Sequence, residues 1–134
     1  MTGSTSRTKG QSGERELAAL LSDLTGRHIK RRVRQHDGDA DLEGLPGWAI
    51  EVKRYRQATP ALIAGWWDQA CRQAERAGAA PILFYRVDRQ DWRCVWPAHL
   101  HLRPPHATPS TNLIDTLQAD PLTWWRLGCS SPRL

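Results

Sequence analysis

Residues 38–56 read GDADLEGLPGWAIEVKRYR, and the fold turns on how that stretch is resolved into elements. An Asp/Gly cluster runs into a clear alternation of side chains, which predicts a tight turn feeding a strand. Along the strand Trp48, Ile50 and Val52 fall on one face and Ala49, Glu51 and Lys53 on the other, because side chains alternate with a period of two. Glu51 and Lys53 are therefore neighbours on a single face. Just upstream, Asp39, Asp41 and Glu43 lie in a turn or short strand that can fold against the Glu51 strand as a hairpin. Asp41 is the preferred second carboxylate, with Asp37 and Asp39 as alternatives.

Toward the N-terminus, Leu17, Leu20, Leu21 and Leu24 recur at helical spacing from Gly13 onward, and Gly26 supplies a stop. Glu14 falls on the same stripe, so a carboxylate faces inward. Burying it calls for a cation, a metal or hydrogen-bond donors, unless it only compensates the helix N-terminus. Residues 1–10, MTGSTSRTKG, offer nothing to bury and read as a flexible basic arm.

Toward the C-terminus, Thr59 and Pro60 read as an N-cap and first helical position. Ile63, Trp67, Ala70, Ala74 and Ala77 then form an apolar stripe that ends at Gly78. PILFYR reads as a buried strand and WRCVW as its partner across the turn VDRQD. The expected fold is a mixed α/β sheet with a core over residues 11–96. Residues 97–134 are expected as a Pro-rich tail, broken by Pro104, Pro105 and Pro109, with one short helix in DPLTWWRLG.

The 134 residues suit one domain, and the net charge of +5 favours a polyanionic partner. No apolar run approaches the roughly 20 residues of a membrane helix, and the first residues lack the apolar core of a signal peptide, so a cytoplasmic protein is expected. Cys71, Cys94 and Cys129 are odd in number and form no CxxC pair, which points to reduced thiols. His99, His101 and His106 lack ligand spacing and read as surface residues.

Cleaving a phosphodiester with a metal needs a carboxylate to hold the cation and a cationic or basic group near the attacking water. Glu51-Val52-Lys53 supplies both, although alternating charges on a strand also describe a solvated face. Lys30, Arg31, Arg32, Arg34, Arg54 and Arg56 flank this triplet and are candidate DNA contacts. The seven tryptophans fit core or dimer packing better than stacking on bases.

KGQSGERELAALL followed by DADLEGLPGWAIEVKR resembles the PD-(D/E)XK nucleases, and among them the archaeal and phage Holliday junction resolvases. The resemblance spans residues 9–96 and implies a restriction-endonuclease-like αβββαβ core. It implies Glu14, Asp41, Glu51 and Lys53 as catalytic residues. Glu14, Asp41, Glu51 and the Val52 carbonyl would hold Mg2+, with Mn2+ as a substitute. Ala40 stands where that family usually has a proline, which leaves Asp39 and Asp41 both open. Gln69 and Gln73 match a glutamine often found on the second helix of related nucleases, and Gln69 joins the basic residues as a candidate DNA contact. The implied protein is a phage or prophage homodimer that cuts branched DNA in recombination or repair. The alternatives are a nicking or end-processing nuclease and a noncatalytic DNA-binding module of the same fold.

Overall fold

The computed structural model describes residues 3–33, 39–103, 105 and 108–128. Its elements are α1 (Gly3–Thr25), β1 (Lys30–Arg31), β2 (Leu42–Glu43), β3 (Trp48–Tyr55), α2 (Pro60–Ala77), β4 (Ala80–Val87), β5 (Arg93–Pro97), β6 (Thr116–Ala119) and α3 (Pro121–Arg126). The six strands form one sheet in sequence order. β3 and β4 pair in parallel, and every other neighbouring pair is antiparallel. This is the expected mixed sheet, with α1 to β4 in the expected αβββαβ order.

The parallel step requires a crossover, and α2 supplies it. Thr59 caps this helix by accepting from Leu62 N at 3.2 Å, Pro60 occupies the first turn, and Gly78 closes the helix at φ 63°. Trp66, Trp67 and Ala70 bury one face of α2 against Leu83 and Val95, while Ala74 meets Ala49 and Ala40. On the opposite side of the sheet, Leu17, Ala18 and Leu21 of α1 pack on Trp48, Ile50 and Val52. β3 is therefore covered on both faces, and each fully buried aliphatic or aromatic side chain contributes roughly 1.5–3 kcal/mol.

The β2–β3 connection depends on glycine. Gly44 sits at φ 111°, and a Cβ there would lie 2.2 Å from the His28 carbonyl oxygen, so no other residue fits without moving backbone.

Both ends of the chain carry regular structure. Residues 3–10 form the first turns of α1: the segment contains no proline, and extending an existing helix adds a hydrogen bond per residue without a new nucleation cost. Residues 116–126 pack on the core, since β6 pairs with β5 and Trp124 of the short helix α3 is fully buried on the α1 side. The segment between is tied to α2 by Trp67 Nε1 donating to the Thr111 carbonyl at 2.8 Å. His101 accepts from Trp96 Nε1 at 2.7 Å and His99 Nδ1 bonds Ser110, so neither is a simple surface residue. Cys71 and Cys94 are free thiols; Cys129 and His106 lie outside the described residues. Among the described residues no helix is long and apolar enough to cross a membrane.

Candidate active site

Alternation along β3 places Glu51 on the α2 side, two residues from Ala49, in the middle of a sheet covered by helices. Only 1% of Glu51 is exposed. Lys53, next on the same face, brings its Nζ to 3.2 Å from Glu51 Oε1. Asp41 enters from the position immediately before β2. Its backbone N–H donates to the Ile50 carbonyl at 2.9 Å, and its Oδ2 accepts from Val52 N at 2.8 Å. A side chain that bonds the amide following Glu51 is held beside Glu51. The structure thus brings Asp41, Glu51 and Lys53 to one place.

Two carboxylates so close and so buried disfavour each other's charge. Burial pushes the Asp41 carboxyl up to about 8 from its ordinary 3.8, and the neighbouring charges of Glu51 and Glu14 push the same way. Burial also raises Glu51, offset in part by the charge of Lys53 and by hydrogen bonds from Lys53, Gln73 and Asp41. Glu51 Oε2 remains buried with no hydrogen-bond partner. An orphaned carboxylate oxygen beside a second carboxylate fits a hard divalent cation, which takes oxygen ligands and is commonly bound by one or two carboxylates plus water and substrate phosphate. Among the described residues no group of three or more His, Cys, Asp or Glu side chains forms a ligand cluster, and Asp41 and Glu51 are the pair of buried carboxylates found here.

The titration has a measurable consequence. With Asp41 raised, the folded protein holds a proton that the unfolded chain releases near 3.8, so this stability is present below that pH and is lost as pH rises toward about 8. In EDTA the melting temperature is expected to fall between pH 5 and pH 8 by on the order of 5 °C. A divalent cation held by the two carboxylates would restore more at pH 8 than at pH 5, where it would compete with protons. Asp41→Asn should flatten both trends; a wild-type melting profile already flat with pH in EDTA would count against this electrostatic picture.

The other candidates are distributed differently. Glu14 is bonded to Arg31, with Nε to Oε2 at 2.5 Å, so the cation its inward position called for is an arginine, while its charge still reaches Asp41. Asp39 lines an adjoining groove. Arg34 and Asp37 lie outside the described residues. Lys30 and Arg32 stand 3.6 and 3.9 Å from Glu43, and Arg54 stands 3.7 Å from Glu16 and 3.9 Å from Asp88. The basic run is thus largely paired with carboxylates, while Arg56 is exposed. Exposed pairs of this kind are worth about 0–1 kcal/mol and can yield to a phosphate.

On α2 it is Gln73, not Gln69, that is buried and bonds Glu51. The signal was available, because Gln73 follows Trp66 by seven residues and Ala70 by three, which puts it on the core stripe. Glu16 was passed over entirely. It accepts from Trp92 Nε1 at 2.8 Å and from Arg86, and lies near Arg54, joining α1 to β3, β4 and the start of β5.

The chain is similar to several known proteins. Residues 5–104 match the family described as phage putative PDDEXK endonuclease. Protein D14 of Escherichia phage T5 is 26% identical over 109 residues, 65% of this chain and 68% of that protein. A solved Holliday junction resolvase from Archaeoglobus fulgidus is 22% identical, with 84% of each chain covered and a TM-score of 0.48.

Proposed function

Because the chain belongs to the phage PDDEXK endonuclease family, and so to a family of nucleases, we propose that it is a Mg2+-dependent endonuclease that hydrolyses phosphodiester bonds in branched DNA, in the manner of a Holliday junction resolvase. The observation that carries the chemistry is the convergence of Asp41, Glu51 and Lys53 around the unpartnered Glu51 Oε2. Asp41 and Glu51 are the side chains that would hold the cation, joined by the Val52 carbonyl. A cation held there would supply Lewis-acid polarisation of the scissile phosphate and would offset developing negative charge.

The chain's own residues do the rest. The Val52 amide fixes Asp41 and so sets the separation of the two carboxylates. Gln73 steadies Glu51 from α2. Lys53 orients the attacking water, its ammonium held in place by Glu51 Oε1. Glu14 acts at one remove, holding Arg31 and biasing Asp41. Lys30, Arg32, Arg54 and Arg56 are the described cations offered to flanking phosphates, and a homodimer would supply two centres for symmetric cutting. The branched substrate is supported by the likeness of the motifs to resolvases.

The test is cleavage of labelled four-way junction, flap, duplex and single-stranded DNA in Mg2+, in Mn2+ and in EDTA. Metal-dependent cutting of the junction in preference to the other substrates is the expected result. Equal cutting of all four would indicate an end-processing or nicking nuclease, and binding without cutting a noncatalytic module.

A further inference from the structure

A groove of about 540 Å3 adjoins the candidate centre between the β2–β3 hairpin and the last turns of α2. Leu45, Trp48 and Ala77 contribute apolar lining, and Arg32, Asp39 and Gln73 contribute polar groups. Its size suits one base or nucleotide and is far too small for a duplex. Its chemistry narrows the occupant further. Asp39 and Glu43 are balanced by Arg32 and Arg76, so the lining has no net positive charge to hold a bare phosphate, and a purely apolar ligand would leave its polar groups unmatched. A flat heterocycle with donors and acceptors on its edge satisfies both kinds of wall.

Gln73 strengthens the point. It is 5% exposed, its side chain bonds Glu51, and its Oε1 is buried without a hydrogen-bond partner. With one amide hydrogen given to Glu51, Gln73 keeps one N–H donor and the unmatched Oε1 acceptor, a pair that complements a base edge. Ala49 also lines the groove and shares a face of β3 with Glu51 two residues on, about 7 Å away. The occupant of the groove is thus about one nucleotide from the bond that would be cut.

We propose that this groove receives one unstacked nucleobase of the DNA substrate, beside the scissile phosphate. The inference rests on the nuclease reading above and deepens it. Taking a base out of the stack costs a few kcal/mol, and least where it is already unpaired. A groove of this kind selects DNA whose branch point offers an unpaired base.

The experiment places 2-aminopurine at successive positions around the branch of a four-way junction and follows its fluorescence on binding, with Ca2+ in place of Mg2+ and binding read in parallel by anisotropy. Wild type is expected to raise the fluorescence several-fold at one position. Ala77→Trp, which fills the groove from an exposed helix position, should abolish that rise and lower junction cleavage in Mg2+ about tenfold. Ala77→Ser keeps the groove open and should behave as wild type, and equal melting temperatures for the three proteins exclude misfolding. No rise at any position, or a rise unchanged in Ala77→Trp, overturns the proposal. If wild type still cuts DNA in that case, only the groove is refuted; a groove-dependent rise without Mg2+-dependent cutting refutes the nuclease instead.

Discussion

Glu51→Gln is expected to lower single-turnover cleavage in Mg2+ on the order of a thousandfold while leaving the fold intact. A cation at a phosphoryl oxygen is worth several kcal/mol, and each 1.4 kcal/mol is about a decade in rate. Glutamine keeps the shape and removes the charge. Because burial already raises the Glu51 carboxyl, the neutral side chain should melt no lower than wild type in EDTA at pH 8. Lys53→Ala is expected to cost on the order of 10²–10⁴ in rate, the range of a positioned proton-handling group. It differs in stability, since it strips a buried carboxylate of the ammonium 3.2 Å away. Lys53→Ala should therefore melt below wild type at pH 8, and the double variant should regain the stability without the activity. Cleavage by Lys53→Ala within threefold of wild type would remove Lys53 from the mechanism.

Trp124→Ala should cost about 3–5 kcal/mol of unfolding free energy, the range for emptying a large aromatic site. Trp124 is fully buried, and its ring meets Trp48 and Phe84 edge to face at 5.5 Å each and Trp125 at 5.7 Å. Trp48 begins β3, so this single side chain from α3 braces the strand that carries Glu51. Trp124→Phe should lose much less, because the indole N–H has no partner to forfeit. Urea denaturation followed by circular dichroism separates the two variants. A loss under 1 kcal/mol for Trp124→Ala would mean that residues after Pro97 are dispensable to the core.

Much of this was legible from local pattern. The alternation WAIEVK, the Thr59-Pro60 cap and the Gly78 stop each state their structure within a few residues, and each appears where expected. Asp41 was preferred over Asp39 from sequence, but the choice stayed open there because it depends on a hairpin register that puts Leu42 opposite Ile50. β6 was missed because TLQA is four residues with weak alternation, and pairing with β5 makes it a strand. The run Lys30–Arg32 reads in one dimension as open positive charge, yet Glu14 and Glu43 meet it only after folding. Gln73 was visible by helical spacing but could be ranked above Gln69 only once Glu51 lay beneath it.

The bond from Val52 N to Asp41 Oδ2 also makes the centre a check on its own assembly. Slipping the hairpin by one residue would turn Glu51 and Lys53 into the apolar layer under α1 and leave Asp41 without that amide. A misaligned hairpin is then penalised twice, by two stranded charges and by one lost hydrogen bond. Chains caught in the wrong alignment should be unstable as well as inactive, so a preparation in which every molecule melts cooperatively is also one in which every molecule carries an assembled centre.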